Sequence, residues 1–141
     1  MNNFIGIIIS AIYIAFVIVS SKFVNKFGEE ASRKYVHILL SNVWIIYLFF
    51  IDSMWAACVL PIAFVFINLL SYKFKLIKSI EREKNDGLGT VYYAVSMLIA
   101  SIISYGVGNP IVGATGSIII GYGDGLAASV GKKIKSQKYK I

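Results

Sequence analysis

PIVGATGSIIIGYGDGLAASVGKK, residues 110–133, is the stretch that decides the fold. From Pro110 to Tyr122 the run is apolar. At 1.5 Å per residue it makes only about 20 Å of helix, too short for the roughly 30 Å of hydrocarbon in a bilayer. Continued to Gly131, it reaches about 33 Å. That extension places Asp124 inside the helix, about 10 Å from its basic end. A carboxylate in or near hydrocarbon is costly, and it persists where it binds or reacts with something. Pro110 suits the first turn of a helix and Asn109 suits its N-cap. Gly113, Gly116, Gly121, Gly123 and Gly125 fall in the same run, with Gly121 and Gly125 in GxxxG spacing. Two readings of these glycines stand side by side. One is close helix–helix packing. The other is a bent or broken helix whose backbone approaches a ligand.

Working outward, the whole chain has this character. It has 141 residues, 57% hydrophobic and 15% charged, with mean hydropathy +0.74. Soluble domains carry about 25% charged residues, so the composition predicts an all-α, multi-pass transmembrane helical bundle. Five spans are expected, at about 4–20, 35–51, 54–71, 88–105 and 110–131, within a single membrane domain over 1–141. The first is not a signal peptide, because Met1-Asn2-Asn3 carries no positive charge and no small-residue cleavage site follows. Asp52 and Ser53 alone separate the second and third spans, which predicts a tight antiparallel pair. Cys58 is the sole cysteine and sits in an apolar run. It reads as a small buried side chain, with no internal disulfide open to it.

The 14 basic residues all fall in the segments 21–34 and 72–87 or in the tail after Gly131. Alternating spans bring these three segments to one face, which the positive-inside rule makes cytoplasmic. The N-terminus is then outside and the C-terminus inside the cell membrane. The net charge of +7 is thereby explained by topology and by anionic lipid headgroups. Nucleic acid is not required.

Candidate chemistry gathers at that same face. Asp124 comes first, followed by Lys132 and Lys133 as phosphate ligands or plain topology signals. A second cluster is EEASRKYVHILL (29–40). In a helix Arg33 and His37 share a face, and so do Lys34 and His37. Ser32 is placed to cap this helix. A third is the loop 71–90, whose aromatic and aliphatic residues interleave with lysines as in a segment lying among headgroups. Glu81, Arg82, Asp86 and Thr90 are possible site residues there, and solvated loop charges on the simpler reading. Several motifs are absent. Gly125–Lys133 misses the P-loop spacing and lacks its Ser or Thr. No Cys/His cluster suits zinc, and nothing points to a serine triad. Basic groups with a carboxylate at one membrane face suit phosphoryl chemistry. Mg²⁺ is held by one or two carboxylates plus substrate phosphates, and Arg and Lys neutralise the transferring group. The acceptor is a lipid, because the site opens into hydrocarbon.

RKYVH (33–37), the DGLGT turn (86–90) and GYGDGLAASVGKK (121–133) together resemble the polyprenol kinase family. That family includes dolichol kinase, phytol kinase and CTP-dependent diacylglycerol kinase, and is related to phosphatidate cytidylyltransferase. The resemblance covers nearly the whole chain. It implies a multi-pass enzyme that phosphorylates a lipid alcohol from a nucleoside triphosphate, commonly CTP, with Mg²⁺. Carried over, Gly123, Asp124 and Gly125 belong to the nucleotide–metal motif and Lys132 and Lys133 to its basic continuation. Arg33, Lys34 and His37 belong to the N-terminal motif, with Arg33 and Lys34 on phosphate and His37 as proton acceptor or phosphate ligand. Family members continue past this point, so the resemblance implies that 1–141 is the N-terminal part of a larger, truncated domain. Two outcomes are then open: a second copy or a second chain completes the site, or the chain is an inactive fragment. Two rivals are kept: CTP:phosphatidate cytidylyl transfer, and a non-catalytic transport or scaffold subunit with Asp124 as an ion or proton site.

Overall fold

The computed structural model describes residues 2–74 and 89–133. Every element among them is helical. The order is α1 (Asn3–Val24), a 3-10 turn at Asn25–Phe27, α2 (Glu29–Ser41), α3 (Val43–Phe50), α4 (Met54–Phe74), α5 (Gly89–Gly106) and α6 (Pro110–Lys133). In space they close a ring: α1 packs on α4, α4 on α5, α5 on α6, and α6 on α2 and α3, which return to α1. The loop candidates Glu81, Arg82 and Asp86 and the Thr90 side chain lie outside the described residues.

Helix α1 turns small residues inward and large apolar ones outward, while Trp44, Tyr47 and Ile51 fill the core. In α1 the buried positions are Gly6, Ser10, Val17 and Ser21, which share one helical face. Phe4, Ile8, Ile12, Phe16, Val19 and Phe23 are all exposed. A soluble bundle has the reverse pattern. In hydrocarbon, burying a leucine gains nothing over lipid, so small residues that let backbones approach win the interfaces. Four of the buried serines satisfy themselves locally, whereas the buried Ser10 hydroxyl has no partner among the described residues. Ser21, Ser41, Ser101 and Ser104 donate to carbonyls three or four residues back at 2.6–3.0 Å. Helix Asn3–Phe27 is long and apolar enough to cross a membrane, and Met54–Leu70 and Val91–Gly106 are shorter apolar helices.

The glycine-bearing run is one uninterrupted helix, so close packing describes it and a break does not. Gly113 faces the Trp44 ring and Ser104, and a Cβ there would overlap both. Asn109 caps α6 as expected, its Oδ1 accepting from the Ile111 N–H at 3.2 Å. The break falls elsewhere. The segment expected as a single span over 35–51 is split at Asn42, whose N–H turns back to the Leu39 and Leu40 carbonyls. The Ile45 N–H bonds the Asn42 carbonyl in a 3-10 step at 3.0 Å. Carbonyls near the break gain side-chain donors: Tyr13 Oη reaches Leu39 O at 3.0 Å and Tyr93 Oη reaches His37 O at 3.2 Å. A membrane helix tolerates interruption where neighbours satisfy its backbone in this way.

Two further expectations are corrected. Ser32 does not cap α2; Gly28, with φ +113°, stands at that position. Ser32 is fully buried one turn in and donates to Ser21 O at 3.0 Å, tying α2 to α1. Nor do α3 and α4 form a tight pair. The main partners of α4 are α5 and α1. The facing residues Val43, Trp44 and Tyr47 on one side and Leu60, Pro61 and Phe64 on the other line a narrow central cleft. The turn between them is clasped to α1 instead: Asn3 Nδ2 donates to Asp52 Oδ1 at 2.6 Å and the Asp52 N–H donates to Asn3 Oδ1 at 3.0 Å. The hydrogen bond from Asn3 holds the exposed Asp52 carboxyl below its ordinary range.

Candidate functional site

The site begins with the contact between α2 and α6. Gly121 and Gly125 form the face of α6 that meets α2. A Cβ on Gly121 would sit 2.6 Å from Ser41 Cβ and Oγ and 3.1 Å from the His37 carbonyl oxygen. One on Gly125 would overlap the Ile38 side chain. The absence of side chains at these two positions therefore sets how close the helices come. The result is that the sequence-distant motifs 33–37 and 121–125 are packed against each other. Tyr122, between the glycines, reaches Asn42 Oδ1 at 3.2 Å and so links this segment to the break in the neighbouring helix. Asp124 lies in α6 immediately before Gly125; its side chain and those of Lys132 and Lys133 are outside the described set. Gly123 has open space where a Cβ would be, so packing makes no demand for glycine there.

His37 sits where α2 meets α5 as well. Its ring stacks on Tyr93, with centroids 4.5 Å apart and planes 14° from parallel. Tyr93 also donates to the His37 carbonyl, so one tyrosine fixes both the ring and the backbone of the same residue. Tyr93 was not singled out by the sequence; its position just after the DGLGT turn is the only signal it leaves.

Arg33 and Lys34 are placed together but not idle. Arg33 Nη2 lies 2.6 Å from Glu30 Oε2 and Lys34 Nζ lies 3.4 Å from Glu30 Oε1. Partial burial acts to raise the Glu30 carboxyl pKa, but the charges and hydrogen bonds of Arg33 and Lys34 outweigh it, and the net direction is down. Glu30 is thus a site residue that the sequence reading passed over. Its signal was the i,i+3 and i,i+4 spacing inside EEASRK. The Lys34 side chain is only 13% exposed against 41% for Glu30, so the cation is the more enclosed partner.

Chemically, the arrangement offers a cluster of cations, an imidazole held by a tyrosine, and a helix carrying Asp124 against that same α2. Among the described residues no group of three or more His, Cys, Asp or Glu side chains is placed to hold a metal ion.

No family model matches the chain, and no solved structure matches it. Among curated proteins it is 29% identical over 142 aligned residues to the phytol kinase of Synechocystis sp., an alignment that covers 97% of this chain and 60% of the relative. The chain therefore spans about 60% of the length of that relative. The resemblance carried by the 33–37, 86–90 and 121–133 motifs is borne out by this homologue.

Proposed function

We propose that the chain is the catalytic membrane portion of a lipid-alcohol kinase. It transfers the γ-phosphoryl group of a nucleoside triphosphate, CTP first among them, to a polyprenol, phytol or diacylglycerol type acceptor. Five spans in the cell membrane, with N-terminus outside and C-terminus in the cytoplasm, go with this reading. The split α2–α3 pair serves as one span. The observation that carries the proposal is the seating of Gly121 and Gly125 on α2, which gives the two motifs a common site. The phytol kinase relative supports the reaction class.

The chain's own residues divide the work. The lipid hydroxyl attacks the γ-phosphorus, the bond from γ-phosphorus to the bridging oxygen breaks, and the nucleoside diphosphate leaves. His37 accepts the hydroxyl proton on a ring nitrogen, as a general base within hydrogen-bond reach does. The stack with Tyr93 holds the ring in place. Arg33 and Lys34 exchange Glu30 for phosphate oxygens, so that the carboxylate keeps the cations ordered between turnovers. Gly123, with Lys132 and Lys133, lines the nucleotide's phosphates, while Gly125, seated on Ile38, keeps that segment against α2. Asp124 would hold Mg²⁺, which when bound supplies charge neutralisation between the phosphates.

The test is transfer of label from γ-labelled CTP, UTP and ATP to a panel of lipid alcohols, using membranes that contain the chain. Phospholipid plus nucleoside diphosphate is the expected outcome. CDP-lipid plus pyrophosphate would instead make it a cytidylyltransferase, and no nucleotide chemistry at all would leave a transport or scaffold subunit.

A further inference from the structure

Two grooves open on the outer surface of the ring. One lies between α5 and α6, with about 600 Å³ of empty space, and is lined by Tyr93, Met97, Ala100, Ser104, Gly116 and Ile120 among others. The other, between α1 and α4, has about 650 Å³ and touches neither His37 nor Tyr93. The space in them that could hold water is smaller, about 180 and 230 Å³. Only the first is continuous with the candidate site, because the Tyr93 ring that closes its inner end is stacked on His37.

The walls of this groove offer hydrocarbon rather than hydrogen bonds. Its serines are already committed: Ser96 donates to Tyr92 O at 2.9 Å, Ser104 to Ala100 O at 2.6 Å, and Ser117 to Met97 Sδ at 3.3 Å. The rim residues Ile103, Val112 and Ile120 are about half exposed, at 53%, 49% and 56%, and meet lipid in a bilayer. From Tyr93 to Ser104 the groove follows about 16 Å of helix. Gly116 lies on its floor, with nothing within 4 Å of where a Cβ would be.

We infer that the α5–α6 groove seats the single hydrocarbon chain of the lipid alcohol, with the hydroxyl end at Tyr93 and His37. This rests on the lipid-alcohol kinase reading for its hydroxyl and on the groove alone for its chain.

The test is photolabelling of the full chain in liposomes with a C16–C20 alcohol that carries a diazirine in mid-chain, with labelled peptides mapped by mass spectrometry. Label is expected on residues 96–104 and 112–120. Gly116→Phe, where an added Cβ meets nothing within 4 Å, puts a ring into the groove and is expected to cut that label about tenfold, the low end of what one methylene in an apolar pocket is worth. Ala100→Phe, on the opposite wall, should do the same; it reads the same space should the first variant fold poorly. Label concentrated along α1 and α4, or label on α5 and α6 unchanged by both variants, overturns the inference. So does a crosslinked dimer through α5 and α6 with no lipid label, which would make a second copy the occupant. Groove labelling in a chain that transfers no γ-phosphate removes the kinase reading and keeps the groove. Transfer with labelling elsewhere does the opposite.

Discussion

Gly121→Ala tests whether the α2–α6 contact builds the site. The added Cβ would stand 2.6 Å from both Ser41 Cβ and Ser41 Oγ, against the 3.5–4.0 Å of an ordinary contact between carbon atoms. The helices must therefore separate by about 1 Å. Overpacking of this kind costs about 1–3 kcal/mol. Replacing a mid-helix glycine by alanine returns up to about 1 kcal/mol, so the net loss of stability is small. Catalysis is more sensitive, because a 1 Å misplacement can cost about a hundredfold in rate. The expected result is a well-folded chain with a large loss of phosphoryl transfer. Adding Ser41→Gly removes the clashing Cβ and Oγ but leaves the His37 carbonyl at 3.1 Å, so the pair should recover part of the rate. Both quantities come from one double-mutant cycle: initial rates with labelled nucleotide, and thermal unfolding of the chain in detergent. Gly106→Ala, which meets nothing within 4 Å, is the control. Full activity in Gly121→Ala, or no recovery in the double variant, would refute the reasoning.

Glu30→Gln leaves Arg33 and Lys34 without their carboxylate partner. Nucleotide affinity should rise, read as a lower KM, while the ordering of the two cations is lost, read as a lower kcat. The Glu30 pKa is lowered in the fold, so the stabilising effect of its ion pairs is complete above the ordinary value of 4.5 and is lost as the pH falls below it. Thermal unfolding of the wild-type chain should therefore show an acid-side decline that is shallower in Glu30→Gln. Tyr93→Phe keeps the stack on His37 but removes the bond to the His37 carbonyl. It should cost about 1 kcal/mol of stability with a modest change in rate, whereas Tyr93→Ala should lower kcat severely and shift its pH dependence through His37.

Much of this was legible in the sequence, for identifiable reasons. Apolar run lengths placed the ends of α4, α5 and α6 to within three residues, and Asn109-Pro110 marked the start of α6 because capping is local chemistry. The GxxxG spacing announced close packing, though not the partner. What escaped notice depends on the third dimension. The split falls at Ser41-Asn42 inside an apolar run, where Tyr13 and Tyr93 donate to carbonyls nearby. The α3–α4 link is short, yet α4 turns away because its facing residues border the central cleft. Ser32 sits where a capping serine belongs, but Gly28 can take the positive φ that starts the helix, which frees Ser32 to bind Ser21. Of the site, the residue types of both motifs were readable. Their apposition was not, nor was the pairing of Glu30 with the cations counted toward phosphate.

The central claim is that the Asp124 segment and the Arg33–His37 segment form one site for phosphoryl transfer to a lipid alcohol. The measurement that tests it most directly is the initial rate of label transfer from γ-labelled CTP to phytol, compared between the wild-type sequence and Asp124→Asn at equal membrane abundance. The account predicts transfer by the wild type and a loss of at least about a hundredfold in the variant, as for removal of an electrostatic stabiliser of the transition state. Undiminished transfer by Asp124→Asn would contradict it.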